Sequence, residues 1–302
     1  MTDVASRDGE TWQQTLVYWG YRATQWLAGA LPDAVGRRLF EVGGRLAFAV
    51  ASDRRRNALG NLARILGRDP GDALVRATAI EAFELYARYW FDSFRLPAVP
   101  ITSIDARIEA IGFDNLDRAL AAGRGCVVAI GHLGNPDVVA AWAAWKGYPI
   151  ASVAERLRPE RLFQLFRRQR EGYGVRLFPT GEPGLKERLA EHVRDNGVVA
   201  LAADRDLSGR GVRVEMFGAP RNLPRGPASL ALTTGAPLLF FWISTTERGW
   251  RGRFGPPLEA PRTGDLPTDV VALTQRLAQE FERAIAAQPA DWHVLQPGWP
   301  DA

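Results

Sequence analysis

Large apolar residues recur at Trp12, Leu16, Trp19, Ala23 and Trp26, in steps of three and four, so the chain from Trp12 to about Leu31 is predicted as an amphipathic helix with three tryptophans on its apolar face. From about Asp72 a second face runs through Phe83, Tyr86, Trp90 and Phe94, and this helix is expected to end before Pro97 and Pro100. The first hundred residues therefore read as helical. Beyond Pro100 the pattern alternates. Residues 126–131, 149–154, 198–203, 212–217 and 238–243 read as strands, and 136–146, 159–171, 184–195 and 227–234 as helices. A last helix carries Val270, Leu273, Leu277, Phe281 and Ile285 on one face. Such alternation predicts an α/β fold with a mostly parallel central sheet flanked by helices. With no convincing linker, residues 1–302 are expected to form a single domain, a helical leader (1–100) packed on an α/β body (101–302).

Composition narrows the class. At 302 residues, 46% apolar and 24% charged, the chain can bury a large core, and no block repeats at solenoid or propeller spacing. The single cysteine, Cys126, excludes an intramolecular disulfide framework and a multi-cysteine zinc site, and it favours a reducing compartment. Met1 to Trp12 is polar and acidic, unlike a signal peptide, and no apolar run approaches the ~18 residues of a membrane-spanning helix. Charge is unevenly spread: residues 37–68 hold eight arginines against Glu41 and Asp53, a net +6. This stripe invites an anionic partner such as a membrane surface. The neighbouring tryptophan face suits either the protein's own core or a lipid interface.

Of the three histidines, His132 is the informative one. It follows Cys-Val-Val-Ala-Ile-Gly and should emerge at the carboxyl end of a strand, where open α/β sheets bind ligands. Asp137 follows in the first turn of the next helix. A His-x-x-x-x-Asp turn can fold the carboxylate against the imidazole to make a general base, and the same acid can instead simply offset the helix dipole. Other chemistries fit less well. The turn lacks the three-glycine spacing of a dinucleotide site, no Gly-x-Ser-x-Gly elbow is present, and His192 and His293 are too dispersed for a metal site.

The segment Gly131-His132-Leu-Gly-Asn135-Pro-Asp137 resembles the His-x-x-x-x-Asp/Glu block of the glycerolipid and lipid A acyltransferase superfamily. Further segments extend the likeness over nearly the whole chain: Val153-Ala-Glu155-Arg156-Leu, Asp204-Arg205-Asp206-Leu207, Met216-Phe217-Gly218, Leu223-Pro-Arg225-Gly226-Pro227-Ala and Ala290-Asp-Trp292-His293-Val-Leu295-Gln296-Pro297. In this order they resemble the actinobacterial phosphatidylinositol mannoside acyltransferases. The resemblance implies transfer of a long-chain acyl group, typically palmitoyl, from acyl-CoA to a mannose hydroxyl at the inner leaflet. It implies an enzyme that is peripheral on the cytoplasmic face of the membrane and uses no metal, nucleic acid or cofactor beyond its co-substrate. Leu133 and Pro136 depart from the family's usual Ser and Trp, which affects pocket shape rather than proton transfer.

Carried over by that resemblance, His132 is the base, Asp137 its partner, and Asp204 or Asp206 a further acid, with Asp204 favoured because it directly ends a strand. Arg205, Asp206, Arg225 and Gly226 are implied as substrate contacts. Residues 150–176 carry seven arginines against three glutamates, an excess suited to coenzyme phosphates. Arg156 and Arg170, beside Glu155 and Glu171, are expected to form an ion-paired wall, and Arg170 or a backbone amide of the 134–137 turn to receive the oxyanion. Glu215 is expected to face solvent, Trp142 and Trp145 to pack in the core or line an acyl tunnel, Trp292 and His293 to anchor the tail, and Cys126 to be inert packing. Two rival readings remain: an acyltransferase for a lysophospholipid or lipid A-like acceptor, and a non-catalytic lipid-binding protein.

Overall fold

The computed structural model describes residues 11–206 and 209–299; the polar start and Leu207 lie outside them. Among the described residues the leader holds four α-helices: α1 (Trp12–Ala30), α2 (Asp33–Val50), α3 (Ser52–Leu66) and α4 (Ala73–Arg95). Local chemistry sets their limits. Thr11 and Gln14 close a capping box on α1, Pro32 precedes α2, Gly67 ends α3 in the left-handed region (φ +62°), and the Asp72 side chain accepts from Leu74 N–H at the start of α4. α2 lies directly on α4: a Cβ at Gly44 would stand 2.5 Å from the Phe83 carbonyl oxygen, so only glycine permits this approach.

The body follows as α5 (Ile101–Asp105), β1 (Ile108–Ile111), α6 (Phe113–Ala121), β2 (Cys126–Ile130), α7 (Pro136–Trp145), β3 (Ile150–Ala154), α8 (Glu160–Gly172), β4 (Arg176–Pro179), α9 (Leu185–Arg194) and β5 (Val198–Ala202). Then come β6 (Val212–Met216), β7 (Ala219–Leu223), α10 (Gly226–Thr234), β8 (Leu238–Thr245), β9 (Trp250–Phe254) and α11 (Leu266–Ala287). The main sheet has the order β1-β9-β8-β2-β5-β3-β4 and is parallel apart from the β8–β9 pair; β6 and β7 form a separate antiparallel hairpin. The predicted α/β class and mostly parallel sheet are thus observed. Strands β1, β4, β7 and β9 were not legible from the pattern. They are four or five residues long, too short for an apolar period to stand out, and glycine, proline or polar residues stand at inward positions where large apolar ones would mark a strand, as at Gly252 of β9.

Both faces of the sheet are covered. Val127 and Ala129 of β2 join the core formed with α9, α10 and α11, whereas Cys126 and Val128 join the one formed with α6 and α7. Phe281 of α11 is fully buried, its ring 4.8 Å from that of Phe240, so truncation there would cost about 3–5 kcal/mol. After β2 the chain turns into α7 on one face, and after its neighbour β5 it crosses to the β6–β7 hairpin on the other. Adjacent strands departing to opposite faces open a crevice at their carboxyl ends.

The tryptophan face of α1 does not pack inward. Trp12, Trp19 and Trp26 are 70%, 60% and 73% exposed, while Tyr18, Tyr21 and Ala28 make the helix's contact with α4 and α8. α2 presents a second exposed stripe, Val35, Leu39, Val42, Leu46 and Val50, again at helical spacing. Among the described residues, no helix is long and apolar enough to cross a membrane.

Candidate active site

The crevice is occupied by an imidazole and a carboxylate. Ala203 N–H donates to the Ile130 carbonyl (2.9 Å), continuing the β2–β5 ladder and bringing the residues after both strands side by side. His132 Nδ1 lies 2.7 Å from Asp204 Oδ1, and the His132 backbone N–H donates to Asp204 Oδ2 (3.0 Å). A third donor is the Trp292 indole Nε1–H, 2.9 Å from the same Oδ2. Asp204 has no exposed surface. Burial opposes its charge, but His132 and these donors outweigh that penalty and hold the carboxyl well below the usual range. Reciprocally, the Asp204 charge raises the His132 pKa above its ordinary 6.5 against the opposing effect of burial. A carboxylate on Nδ1 selects the tautomer with its proton there and leaves the Nε2 lone pair as the basic site.

Asp137 is placed elsewhere. It accepts from Arg170 Nε (2.8 Å) and Nη2 (3.1 Å) and from the Tyr89 hydroxyl (3.2 Å). The cause is local: Asn135 is the N-cap of α7, its side chain accepting from Val138 N–H (3.1 Å) and donating to the Tyr89 carbonyl (3.2 Å), so the first turn of α7 is pinned to α4. The expected bond between His132 and Asp137 is replaced by the one to Asp204, and Asp137 instead joins α7 to α4 and α8. Asp137 and Tyr89 raise the Arg170 pKa further above its already high value, the Asp137 charge being the largest cause. Arg170 is therefore committed to a carboxylate rather than free to receive an oxyanion.

The other expected residues divide. Arg205 lies in the wall of the His132 pocket and donates to Gln296 Oε1 (2.8 Å). Asp206 accepts from Gly211 N–H (2.6 Å) and is not the acid on His132. The ion-paired wall does not form: Arg156, in the loop before α8, pairs with Glu160 at the start of that helix (3.1 Å), and Glu171 pairs with Arg167 (3.2 Å), because residues four apart on a helix face each other and adjacent ones do not. Glu155 is exposed, and Arg225 and Gly226 lie in a different groove between α9 and α10, with Lys186 and Arg194. Trp142 is buried against Phe113 and donates to Asp105 (2.7 Å), and Trp145 is exposed; neither lines the cavity beside His132. Glu215 faces outward on β6, and Cys126 is buried, its thiol pushed up to about 12 by desolvation.

His132 opens into a cavity of about 440 Å³. Tyr86, Tyr89 and Trp90 of α4 give one wall aromatic character; Arg54 and Asn57 of α3, with Arg205 and Gln296, supply polar groups. Arg54 makes no hydrogen bond or ion pair among the described residues, whereas most of its neighbours in the basic stripe are engaged, for example Arg37 with Asp92 and Arg68 with Asp72. Pro136 lines this cavity and also a wholly apolar cleft of about 60 Å³ between α6, α7 and the sheet, bounded by Phe113, Val139, Ala143, Ile150 and Phe241.

The C-terminal tail closes the site. His293 N–H donates to the His132 carbonyl (2.8 Å), Gly134 N–H to the Asp291 carbonyl (3.1 Å), and the His293 ring bonds the Gly134 carbonyl through Nε2 (3.1 Å). Gly134 has φ +58°, and a Cβ there would meet the Ile243 carbonyl oxygen at 2.7 Å, so glycine is required. Burial lowers the His293 pKa to about 3, which keeps this ring neutral. Buried Asn61 of α3 donates to the Val294 and Gln296 carbonyls and accepts from Gly298 N–H. Asn61, Tyr89 and Arg221 support the site without any pattern in the sequence that marks them, since their partners lie far along the chain.

The family described as bacterial lipid A biosynthesis acyltransferase matches residues 10–300. The chain is 40% identical over 285 residues to a phosphatidylinositol mannoside acyltransferase of Mycolicibacterium smegmatis, covering 93% of this chain and 90% of the relative. It is likewise 40% identical over 290 residues to a protein of the same description from Mycobacterium tuberculosis, covering 95% and 89%.

Proposed function

The chain belongs to the bacterial lipid A biosynthesis acyltransferase family, and from that premise we propose that it moves a long-chain acyl group, palmitoyl by resemblance, from acyl-CoA to a mannose hydroxyl of a phosphatidylinositol mannoside. The observation that carries this reading is the His132–Asp204 pair, 2.7 Å apart at the wall of a cavity with aromatic and cationic sides.

In the proposed step, His132 Nε2 takes the proton of the acceptor hydroxyl as its oxygen attacks the thioester carbonyl. Asp204 stabilises the imidazolium that forms. Collapse of the tetrahedral intermediate breaks the carbon–sulfur bond, and the proton passes from His132 to the departing coenzyme thiolate, which restores the neutral imidazole. The N-terminus of α7, reached through Pro136, supplies a positive helix end near the developing oxyanion.

Binding follows from the same walls. Tyr86, Tyr89 and Trp90 suit the apolar face of a sugar ring, and Asn57 and Gln296 suit its hydroxyls. Arg54 and Arg205 suit phosphate oxygens. In this reading the acyl chain passes Pro136 towards the apolar cleft, whose lining is wholly hydrophobic. The exposed stripes of α1 and α2, next to the arginines of residues 37–68, dock the protein on the anionic cytoplasmic face of a membrane, where donor and lipid acceptor meet.

The test is purified protein with palmitoyl-CoA and a panel of acceptors, including phosphatidylinositol mannosides, a lysophospholipid and a lipid A-like glycolipid, read by mass spectrometry. Acylated mannoside is expected with wild type and not with His132→Ala. Preferential acylation of another acceptor would move the substrate assignment, and wild-type transfer by His132→Ala would remove the base.

A further inference from the structure

The carboxylate that orients His132 is itself held from a distant part of the chain. Asp204 is fully buried, and its Oδ2 takes only the His132 backbone N–H and the Trp292 indole N–H as donors among the described residues. Trp292 is in turn immobilised. It is buried, its backbone forms an antiparallel bridge to Leu133, and the Arg221 guanidinium sits 5.0 Å from its ring centroid. Arg221 also donates to the Asp204 backbone carbonyl (2.7 Å) and the Gly298 carbonyl (2.6 Å). The tail therefore grips His132 twice: through the backbone on either side of Leu133, and through its carboxylate.

We propose that Trp292 is a positioning residue for the transfer reaction, its indole N–H locking the Asp204 carboxylate in the rotamer that orients the His132 ring. The inference rests on the reading of His132 as the base. A carboxylate in a dry site that loses one donor can rotate about its terminal torsion, and the charge freed from the indole falls more heavily on the imidazolium. Packing alone does not predict this, because phenylalanine keeps most of the ring's apolar contacts and lacks only the N–H and part of the volume.

The test is Trp292→Phe in the full chain, with His132→Ala assayed beside it. Expected for Trp292→Phe is a kcat about tenfold lower, with KM for palmitoyl-CoA and for the glycolipid within about twofold. The acidic limb of its pH profile moves to higher pH. Should that variant fail to fold, 3-benzothienylalanine at position 292 preserves the ring shape without the N–H and is expected to reproduce both effects. Wild-type kcat with an unmoved limb in either folded protein overturns the positioning role. If instead His132→Ala transfers at the wild-type rate, the reading of the base fails first and takes this inference with it, so the two failures are told apart.

Discussion

His132 and Asp204 are 72 residues apart in sequence and 2.7 Å apart in space, whereas Asp137, five residues from His132, is bound to Arg170. The relationship follows from strand order. β2 and β5 are hydrogen-bonded neighbours, so whatever follows each of them meets at the sheet's carboxyl edge.

The two carboxylates should therefore respond differently to amidation. Asp204→Asn places a donor-capable amide on Nδ1 and favours the wrong imidazole tautomer, so kcat is expected to fall by about 10³–10⁴ with the fold retained. Asp137→Asn leaves the dyad intact and weakens the partly buried Arg170 pair, costing about 2 kcal/mol of stability. Parallel steady-state kinetics and thermal melts check both. Equal losses of kcat in the two variants would contradict the division of roles.

Activity should titrate on the alkaline side of an ordinary histidine. The base works when neutral, and Asp204 raises the pKa of His132, so kcat/KM is expected to rise with pH through an apparent pKa above 6.5. For stability the sign is opposite. The raised histidine contributes stability that is fully present below 6.5 and is lost as pH rises through its folded pKa. Its partner's contribution is present above 3.8 and is lost as pH falls through the depressed pKa of Asp204. A pH–rate profile, with melts of wild type and His132→Ala, reads both.

Asp291 gives a separate pH signature. Burial raises its pKa from 3.8 to about 6, despite the bond that it accepts from Thr245 N–H (2.7 Å). The folded state then keeps a proton that the unfolded chain has released, so this residue's stabilising contribution is lost between about pH 4 and pH 6 and amounts to something on the order of 3 kcal/mol. Melting temperature measured over that range should fall less steeply in Asp291→Asn than in wild type.

The exposed stripes predict membrane binding that can be removed without unfolding. Replacing Trp12, Trp19 and Trp26 with alanine, or Leu39 and Leu46 of α2 with aspartate, should reduce co-sedimentation with anionic vesicles while leaving the melting temperature nearly unchanged. Raising the salt concentration should weaken wild-type binding through charge screening. Retained sedimentation under all these conditions would detach these faces from lipid.

Arg54 is expected to act on binding alone. Its guanidinium lacks a carboxylate partner among the described residues and lines the His132 cavity, so Arg54→Ala should raise a substrate KM about tenfold with kcat and melting temperature little changed. Whether the KM for acyl-CoA or that for the glycolipid rises identifies which phosphate it meets.

Much of the architecture was legible in order along the chain. Helical spacing marked α1, α4 and α11, apolar runs marked β2, β5 and β8, and the placement of His132 just after an apolar strand located the site. These are local properties, set by backbone period and by what a residue does to its own turn. What the ring of His132 binds, which way α1 turns its tryptophans, and which arginines are left unpaired depend on strand order and on contacts between segments tens to hundreds of residues apart. Asp204, Trp292 and Arg221 become one cluster only because β5 lies beside β2 and the tail folds back over both. Periodicity carries no information about such pairings. Only the assembled sheet, by fixing which carboxylate is buried beside the imidazole, decided how its proton is held.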